Sequence, residues 1–414
     1  MLLEFSCSNH KSIKNKIGFS MIAGNDNTNE EFLYDFEGYN ILRSAVIYGA
    51  NGSGKSNFID SISYIKNMVG GSILNQLGQK LEQYPHKLSA KGEVSEYSIQ
   101  FIRNGVRYAY GLGIMENKVN EEYLYYFPNK RQVKIFERSG EEIIPGDKYK
   151  NRLNTPISIL KDNRLFLSCA ANFTDIKEIE EAFLFFVEDL VIYSPEFTPW
   201  FPKSVELISE NEDIKELFIK FFNSLGTEIV DIRPEFTSVS INELPEEIKF
   251  DENIRKILEN REGKKIGVKL VYRDFETDLS EEESTGIRNL FNIIYPIIDI
   301  IKNGKVFICD ELESSLHEYI VCEIIKLFYG NEEINPAQLI FSTHNTSLLG
   351  SGLFRRDQIW FTELDKERAT DLYSLAEIKN VRKTENWEKG YISGKYGAIP
   401  VLNMDILNKI KNFG

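Results

Sequence analysis

The apolar positions of this chain change period several times, and each change predicts a different element. Residues 2–23 hold two short apolar runs around the polar stretch Ser8-Asn9-His10-Lys11-Ser12, which predicts two strands and a turn. Residues 24–40 are polar and predict a surface loop. Ser44-Ala45-Val46-Ile47-Tyr48 is a short apolar, β-branched run, the pattern of a buried strand. Apolar residues at 58, 62 and 65 then recur at helical spacing, and Gly70-Gly71 predicts the end of that helix. From about 94 to 138 the period falls to two: Tyr97, Ile99 and Phe101 alternate, then Tyr108-Ala109-Tyr110, Tyr123-Leu124-Tyr125 and Val133-Lys134-Ile135-Phe136. This predicts an antiparallel meander with one wet face. Its tyrosines fit an amphipathic sheet better than a base-stacking platform.

Residues 150–265 are acidic and helical in pattern, as from Asp175 to Phe186 and from Glu210 to Leu225. Within them, 245–264 is densely charged and reads as a poorly ordered helix or hairpin. Strands and helices return at 266. Ile266 to Tyr272 predicts a strand and Ser284 to Ile301 a helix, while Lys305 to Cys309 and Gln338 to Ser342 predict buried parallel strands. There is no internal repeat and no sustained heptad pattern. The expected fold is α/β in three parts: a lobe over 1–150 that includes an antiparallel β subdomain, a mostly helical insertion over 151–265, and a second part of the lobe over 266–414.

The first candidate chemistry lies between the strand at 44–48 and the helix after it. Gly49-Ala50-Asn51-Gly52-Ser53-Gly54-Lys55-Ser56 has the spacing of a phosphate-binding loop, G-x-x-x-x-G-K-[ST]. Its glycines let backbone N–H groups turn inward at a helix N-terminus, so residues 51–57, from Asn51 to Asn57, are expected to cradle phosphate. Lys55 reaches the β- and γ-phosphates, and the Ser56 hydroxyl suits Mg²⁺. A chance glycine-rich turn would lack the strand before it and the helix after it.

The second half of such a site follows much later. Lys305-Val306-Phe307-Ile308-Cys309-Asp310-Glu311 is an apolar strand that ends in two carboxylates. Asp310 is placed to support Mg²⁺, and Glu311 to orient and deprotonate an attacking water. An acidic helix start would look similar in isolation. Glu311-Leu312-Glu313-Ser314-Ser315-Leu316-His317 comes next, and a strand ending in Ser342-Thr343-His344 follows. Upstream, Glu283-Ser284-Thr285-Gly286-Ile287-Arg288 opens a helix, which offers N–H groups, a hydroxyl and a glycine for close backbone approach. An ordinary serine cap would share that pattern.

Composition narrows the class. The chain has 414 residues, 42% hydrophobic and 27% charged, as expected for a soluble protein with a large core. Its net charge of −14 argues against a protein that coats nucleic acid over its whole surface, though a local basic patch stays possible. The four cysteines, Cys7, Cys169, Cys309 and Cys322, are scattered without metal spacing, which points to reduced thiols in a cytoplasmic protein. His10, His86 and His317 are not spaced for metal either, and His317 reads as a surface residue. Met1-Leu2-Leu3 is followed at once by Glu4, so no secretion signal is expected, and no apolar run approaches the ~18 residues of a membrane span.

The order of phosphate loop, Ser-x-Gly element, Asp-Glu strand end, Ser-Ser-Leu-His and Ser-Thr-His resembles the ABC-type ATPase superfamily. Within it, the chain resembles the small AAA/OLD-like ATPases of bacterial phage-defence operons, of Rlo and PARIS type. The likeness includes Ser8-Asn9-His10-Lys11-Ser12, Arg356-Asp357-Gln358-Ile359-Trp360-Phe361 and Gly394-Lys395-Tyr396-Gly397-Ala398-Ile399-Pro400, and is least over 150–265. It implies a P-loop fold of ABC-ATPase type and two protomers clamped head to tail around ATP and Mg²⁺, with higher oligomers left open. Lys55 and Ser56 would bind phosphate and metal, with Asp310 supporting the metal. Glu311 would be the base, and His344 would contact the γ-phosphate. Ser284 and Gly286 would complete the partner's site, and Glu313, Ser314 and Ser315 would link the two sites. The element at 283–288 departs from Leu-Ser-Gly-Gly-Gln, and the glutamine that bridges to Mg²⁺ falls on Gln83 or Gln100 without a choice between them. Asn9 and Lys11 either lie near the nucleotide or form a plain turn.

The resemblance implies a sensor or scaffold ATPase that controls a partner effector, a nuclease or toxin from the same operon. The alternative is a DNA-repair or chromosome-maintenance ATPase of RecF, Rad50 or SMC kind. Only about 230 residues separate the phosphate loop from Ser284, which leaves no room for long arms. About 70 residues follow His344, too few for a nuclease domain in the same chain. A membrane-transport subunit is disfavoured by the degenerate Ser-x-Gly element, and contact with DNA stays open. The tail from 377 to 414 mixes charges and reads as a solvated surface or a partner contact.

Overall fold

The apolar run before the glycine-rich loop sits at the centre of a parallel sheet, buried at every position. The computed structural model describes residues 1–25, 28–193, 200–240, 262–314, 316–329 and 336–400. Ser315, most of 245–264 and the tail beyond 400 fall outside the described residues. The strands of the first half are β1 (Leu2–Ser8), β2 (Ile17–Ser20), β3 (Leu33–Phe36), β4 (Tyr39–Leu42), β5 (Ser44–Gly49), β6 (Ser95–Arg103), β7 (Val106–Met115), β8 (Lys118–Phe127), β9 (Val133–Ser139), β10 (Glu142–Pro145) and β11 (Leu190–Tyr193). Those of the second half are β12 (Asp231–Ser240), β13 (Glu262–Val271), β14 (Glu276–Asp278), β15 (Val306–Cys309), β16 (Gln338–Ser342), β17 (Ile359–Leu364) and β18 (Thr370–Ser374). The helices are α1 (Lys55–Gly71), α2 (Asn154–Ile159), α3 (Phe166–Phe173), α4 (Lys177–Leu184), α5 (Trp200–Glu210), α6 (Glu212–Ser224), α7 (Thr285–Asn303), α8 (Glu318–Leu327) and α9 (Trp387–Ile392).

The chain forms two compact units. The first is Met1–Ser194, Ile300–Glu313 and Val321–Gly414, and the second is Pro195–Asp299 with Ser314–Ile320. These units do not divide at residues 150 and 265. Residues 151–193 pack into the first unit, because Phe166, Leu167, Ile179, Phe185 and Phe186 join its core.

Besides the two-stranded β3–β4 hairpin, the first unit holds two large sheets that share one core. One sheet has the order β11-β15-β16-β5-β17-β18, parallel except for the β17–β18 hairpin. The other is fully antiparallel, in the order β10-β9-β8-β7-β6-β1-β2. The helical spacing at 58, 62 and 65 is the buried face of α1: Phe58, Ile62 and Ile65 are fully buried in the same cluster as Phe5, Phe19 and Ile47. Burying such side chains contributes roughly 1.5–3 kcal/mol each. The mixed α/β class and the antiparallel subdomain expected from the pattern are both present. Tyr97, Tyr108, Tyr110 and Tyr126 point into the core, while Tyr123 and Tyr125 lie half-buried on the outer face.

Two local readings need correction. Residues 33–42 are not loop but the hairpin β3–β4. The signal was Glu37-Gly38, both at positive φ (51° and 87°), a tight turn between aromatic and aliphatic strands. α1 ends at Gly71, as the Gly70-Gly71 pair predicts, and the chain passes directly into a 3₁₀ turn at Ser72–Leu74. Residues 151–265, expected to be mostly helical, also hold strands that the pattern does not predict: β11 is an edge strand of the parallel sheet and β12 belongs to a three-stranded sheet. Leu190-Val191-Ile192-Tyr193 is short, and the acidic helical pattern around it concealed it.

The second unit packs α5, α6 and the N-terminal part of α7 with the sheet β12-β13-β14. Its core includes Phe218, Phe222, Leu270 and Phe291. Among the described residues, no helix is long and apolar enough to cross a membrane.

Candidate nucleotide site

Strands β5, β15 and β16 lie side by side and parallel, and each delivers its next residues to the same sheet edge. Gly49 leads into the glycine-rich loop, Cys309 into Asp310-Glu311, and Ser342 into Thr343-His344. Ligands of open α/β sheets bind at this carboxyl edge. A cavity of about 570 Å³ opens there, lined by Asn51, Gly52, Gly54, Lys55, Ser56, Asn57, Glu311 and His344. Residues nearly 300 positions apart in sequence therefore share one cavity.

The loop conformation depends on glycine. Gly54 has φ of 110° and forms the N-cap of α1, and Gly52 has φ of 76°. These values suit residues without Cβ. A Cβ at Gly54 would also lie 2.1 Å from the Thr370 hydroxyl oxygen. The first turn of α1 thus faces the cavity with free N–H groups and the positive end of the helix dipole. The Lys55 ammonium donates to the Gly49 carbonyl at 2.8 Å and to the Ala50 carbonyl at 3.3 Å, so it lies curled along the loop. Burial lowers its pKa from the usual lysine value, while the charges of Asp310, Glu311 and Glu313 push it back up.

Two further expected residues of the first unit, Ser53 and Asp310, do not line the cavity. Ser53 turns its side chain away, sharing a 2.6 Å hydrogen bond with the Thr362 hydroxyl, so only its backbone faces the loop. Asp310 stands behind Glu311, and its Oδ1 accepts the Ser342 hydroxyl at 2.5 Å. The same Ser342 oxygen accepts the Glu311 N–H at 2.9 Å. Glu311 is held at φ of 51°, an uncommon conformation for a non-glycine residue. This turn leaves its carboxylate half exposed, with Oε1 at 3.8 Å from His344 Nε2.

A hydroxyl network missed in the sequence supports the loop from below. The Thr370 hydroxyl donates to the Ser53 carbonyl at 3.0 Å and shares a 2.7 Å hydrogen bond with Ser12. The Asn57 amide donates to Ser12 at 2.6 Å. Ser12 lies in the N-terminal turn and Thr370 on β18. Nothing local in the sequence marks Thr362 or Thr370, because the parallel pairing β5–β17 and the hairpin β17–β18 bring them to the loop.

The N-terminal turn is tied to α1. His10 is fully buried, with Nδ1 at 2.7 Å from the Tyr97 hydroxyl and Nε2 at 2.8 Å from Asp60 Oδ2. Lys11 pairs with the same Asp60 oxygen at 2.6 Å. Asn9 is buried and structural: its amide donates to the Glu93 carbonyl and its Oδ1 accepts the His86 N–H. Lys11 instead lines a neighbouring cavity of about 1190 Å³ with Ser12, Tyr84 and Asn57, the last of which also borders the first cavity. Gln83 lines it too, but its amide is engaged with Ser95 and the Ile114 carbonyl. Gln100 lies on the antiparallel sheet between Glu4 and Arg107. His317 sits just before α8, its Nδ1 accepting the Tyr319 N–H.

Ser284 and Gly286 belong to the second unit. Ser284 precedes α7, and its hydroxyl accepts the Ile287 N–H at 3.3 Å, which is a cap. Glu283 is fixed by Tyr272 at 2.8 Å and Thr277 at 2.5 Å. Among the described residues, no cluster of His, Cys, Asp and Glu is arranged to hold a metal by itself.

A family profile described as "AAA domain, putative AbiEii toxin, Type IV TA system" matches residues 44–350. That span runs from β5 past His344. No curated protein matches the chain. Solved structures that align with the chain at low sequence identity include two SMC head domains. One is the SMC head domain from Thermotoga maritima, 14% identical with a TM-score of 0.39, covering 90% of this chain and 98% of that one. The other is the Smc head domain with an extended coiled coil bound to the C-terminal domain of ScpA, derived from Pyrococcus furiosus. It is 15% identical with a TM-score of 0.37, covering 99% of each chain.

Proposed function

The chain belongs to this AAA-domain family of ABC/AAA-like ATPases, and from that premise we propose that it binds and hydrolyses ATP with Mg²⁺. The observation that carries the reading is the single cavity shared by Lys55, Ser56, Glu311 and His344. The loop N–H groups and Lys55 take the β- and γ-phosphates, where developing negative charge is stabilised without reorganisation. Ser56 and Asp310 supply hard oxygen donors of the kind Mg²⁺ prefers. When bound, the ion draws charge from the phosphate oxygens. Glu311 is the base that removes a proton from the attacking water, and His344, 3.8 Å from it, steadies that water or the γ-phosphate. The base and ribose extend into the neighbouring cavity, past Asn57 toward Lys11 and Tyr84.

The test is direct. Purified chain is expected to release phosphate slowly from ATP, only with Mg²⁺, and Glu311→Gln is expected to bind ATP without turning it over. Absence of ATP binding by the purified chain would refute the reading.

At the next level, two protomers close head to tail on two nucleotides, with Ser284 and Gly286 of each completing the other's site. The closed form acts as sensor and scaffold in anti-phage defence, holding or releasing an effector encoded alongside it. The family description supports a paired system, since it names a toxin and a toxin–antitoxin system. Co-purification with the product of the adjacent gene, with and without ATP, tests it. Association with a replication or repair protein instead would favour the chromosome-maintenance alternative.

A further inference from the structure

One carboxylate beside the site is not used by the reaction just described, yet it is held tightly. Glu313 lies three residues beyond Asp310, in the turn that follows β15. Its Oε1 accepts the backbone N–H of His344 at 2.5 Å. Its Oε2 is buried and has no hydrogen-bond partner. A buried polar atom left unpaired is costly, so in a native fold it calls for a compensating role.

Ser342, two residues before His344, is bonded to the turn after β15, while the residues on either side of His344 are held by their own neighbours and by β5. Thr343 N–H donates to the Ile47 carbonyl at 3.1 Å, and Asn345 N–H to the Thr343 hydroxyl at 3.0 Å. The Tyr48 hydroxyl donates to the Asn345 carbonyl at 3.1 Å. Those bonds secure residues 343 and 345. At residue 344 itself, the backbone N–H is taken by Glu313. This bond ties the turn that carries Asp310 and Glu311 to the residue whose ring approaches Glu311.

We propose that Glu313 is a positioning residue: its carboxylate fixes the His344 backbone and thereby sets the distance between the His344 ring and Glu311. The proposal rests on the ATPase reading for its kinetic consequence but not for its geometry. An oxygen acceptor at this point is what matters, not a charge. Glutamine supplies the same acceptor and alanine does not.

The test uses the full chain with Glu313→Gln and Glu313→Ala. The chain has four histidines, so their ring proton signals can be assigned by single substitution and followed by NMR without any reaction taking place. The His344 signal is expected to move in Glu313→Ala and to stay near its wild-type position in Glu313→Gln, with the other three histidines unchanged. In ATP hydrolysis, Glu313→Ala is expected to lose at least tenfold in kcat with KM within about threefold of wild type, and Glu313→Gln to stay within about threefold in both. Combined with His344→Ala, the alanine change is expected to add no further loss. An unmoved His344 signal in Glu313→Ala overturns the proposal even if the chain proves inactive. So does a Glu313→Gln variant that folds but is as impaired as the alanine variant, because the role would then lie in the charge. Failure of the ATPase reading alone would show as an inactive wild type with the NMR pattern intact.

Discussion

The hydroxyl of Ser342 donates to Asp310 at 2.5 Å while accepting the N–H of Glu311 at 2.9 Å, so one buried side chain sets both carboxylates of the strand end. Glu311 can hold its left-handed φ because this bond and the Leu312 N–H to Ser342 carbonyl bond, at 3.3 Å, brace the turn on both sides. Ser342→Ala is expected to leave ATP affinity within a few-fold of wild type and to lower kcat by tenfold or more. Hydrogen bonds to charged groups contribute about 1.5–3 kcal/mol, enough for that loss. Parallel measurement of nucleotide binding by fluorescence and of phosphate release checks it. A kcat equal to wild type would show that the turn holds itself.

Lys55 and Glu311 are expected to separate binding from turnover. Lys55→Ala removes the one side-chain cation of the loop, which curls over the Gly49 and Ala50 carbonyls, and nucleotide binding should be lost. Glu311→Gln keeps the shape of the cavity and removes the base, so binding should survive while kcat falls by ~10²–10⁴. Equilibrium binding and single-turnover hydrolysis of both variants distinguish the two roles. Turnover in Glu311→Gln within a few-fold of wild type would assign the base elsewhere.

How much of this was legible in the sequence follows the range of each signal. The glycine-rich loop, β5, α1 and the meander were legible because each is a local pattern of spacing or alternation. β15 and β16 were legible as apolar runs, and the parallel sheet then had to bring residues 55, 311 and 344 to one edge. Thr362 and Thr370 carry no local mark, since their roles depend on β17 lying next to β5 and on β18 pairing with β17. Ser342 is marked by the Ser-Thr-His pattern, but its bonds to Asp310 and Glu311 depend on β16 lying next to β15. β11 was missed because four apolar residues do not stand out inside an acidic helical stretch. The hairpin β3–β4 was missed because polar residues around it outweighed the Glu37-Gly38 turn. The role of His10 was equally hidden, since Tyr97 and Asp60 come to it from β6 and α1.

Asp60 makes a pH-dependent prediction. Burial pushes its carboxyl up, but hydrogen bonds from His10 and Lys11, with the Lys11 charge, outweigh burial and hold it below the ordinary aspartate value of 3.8. A carboxyl lowered in the folded state releases its proton on folding. Its stabilising contribution is therefore fully present above the unfolded value and is lost as pH falls through the lower folded value. Thermal melting of wild type and Asp60→Asn should show the variant less stable at pH 7, with the gap closing as pH drops below about 3.8. A gap that stays constant down to pH 3 would mean that the carboxylate charge adds nothing, and that the Asp60 contacts act as neutral hydrogen bonds.

The proposed shared site makes the last prediction. Ser284 stands before α7 with a 3.3 Å capping bond to Ile287 N–H, and Gly286 leaves the first turn of that helix bare. A helix N-terminus of this kind suits a phosphate. In the head-to-tail arrangement, it would serve the nucleotide bound to the other protomer's Lys55. Ser284→Arg is therefore expected to leave each protomer able to bind ATP, while abolishing ATP-dependent dimerisation and hydrolysis. Lys55→Ala is expected to fail in the complementary way, through loss of nucleotide. A mixed dimer of the two variants has one site in which an intact loop meets an intact Ser284, and one in which both are damaged. Mixing the inactive variants should thus restore hydrolysis to at most half the wild-type rate per dimer, with dimers visible by light scattering only when ATP is present. Normal hydrolysis by Ser284→Arg alone would reduce Ser284 to a helix cap. Failure of the mixture to recover activity, with both variants folded and mixed dimers shown to form, would place the phosphate contacts within a single protomer.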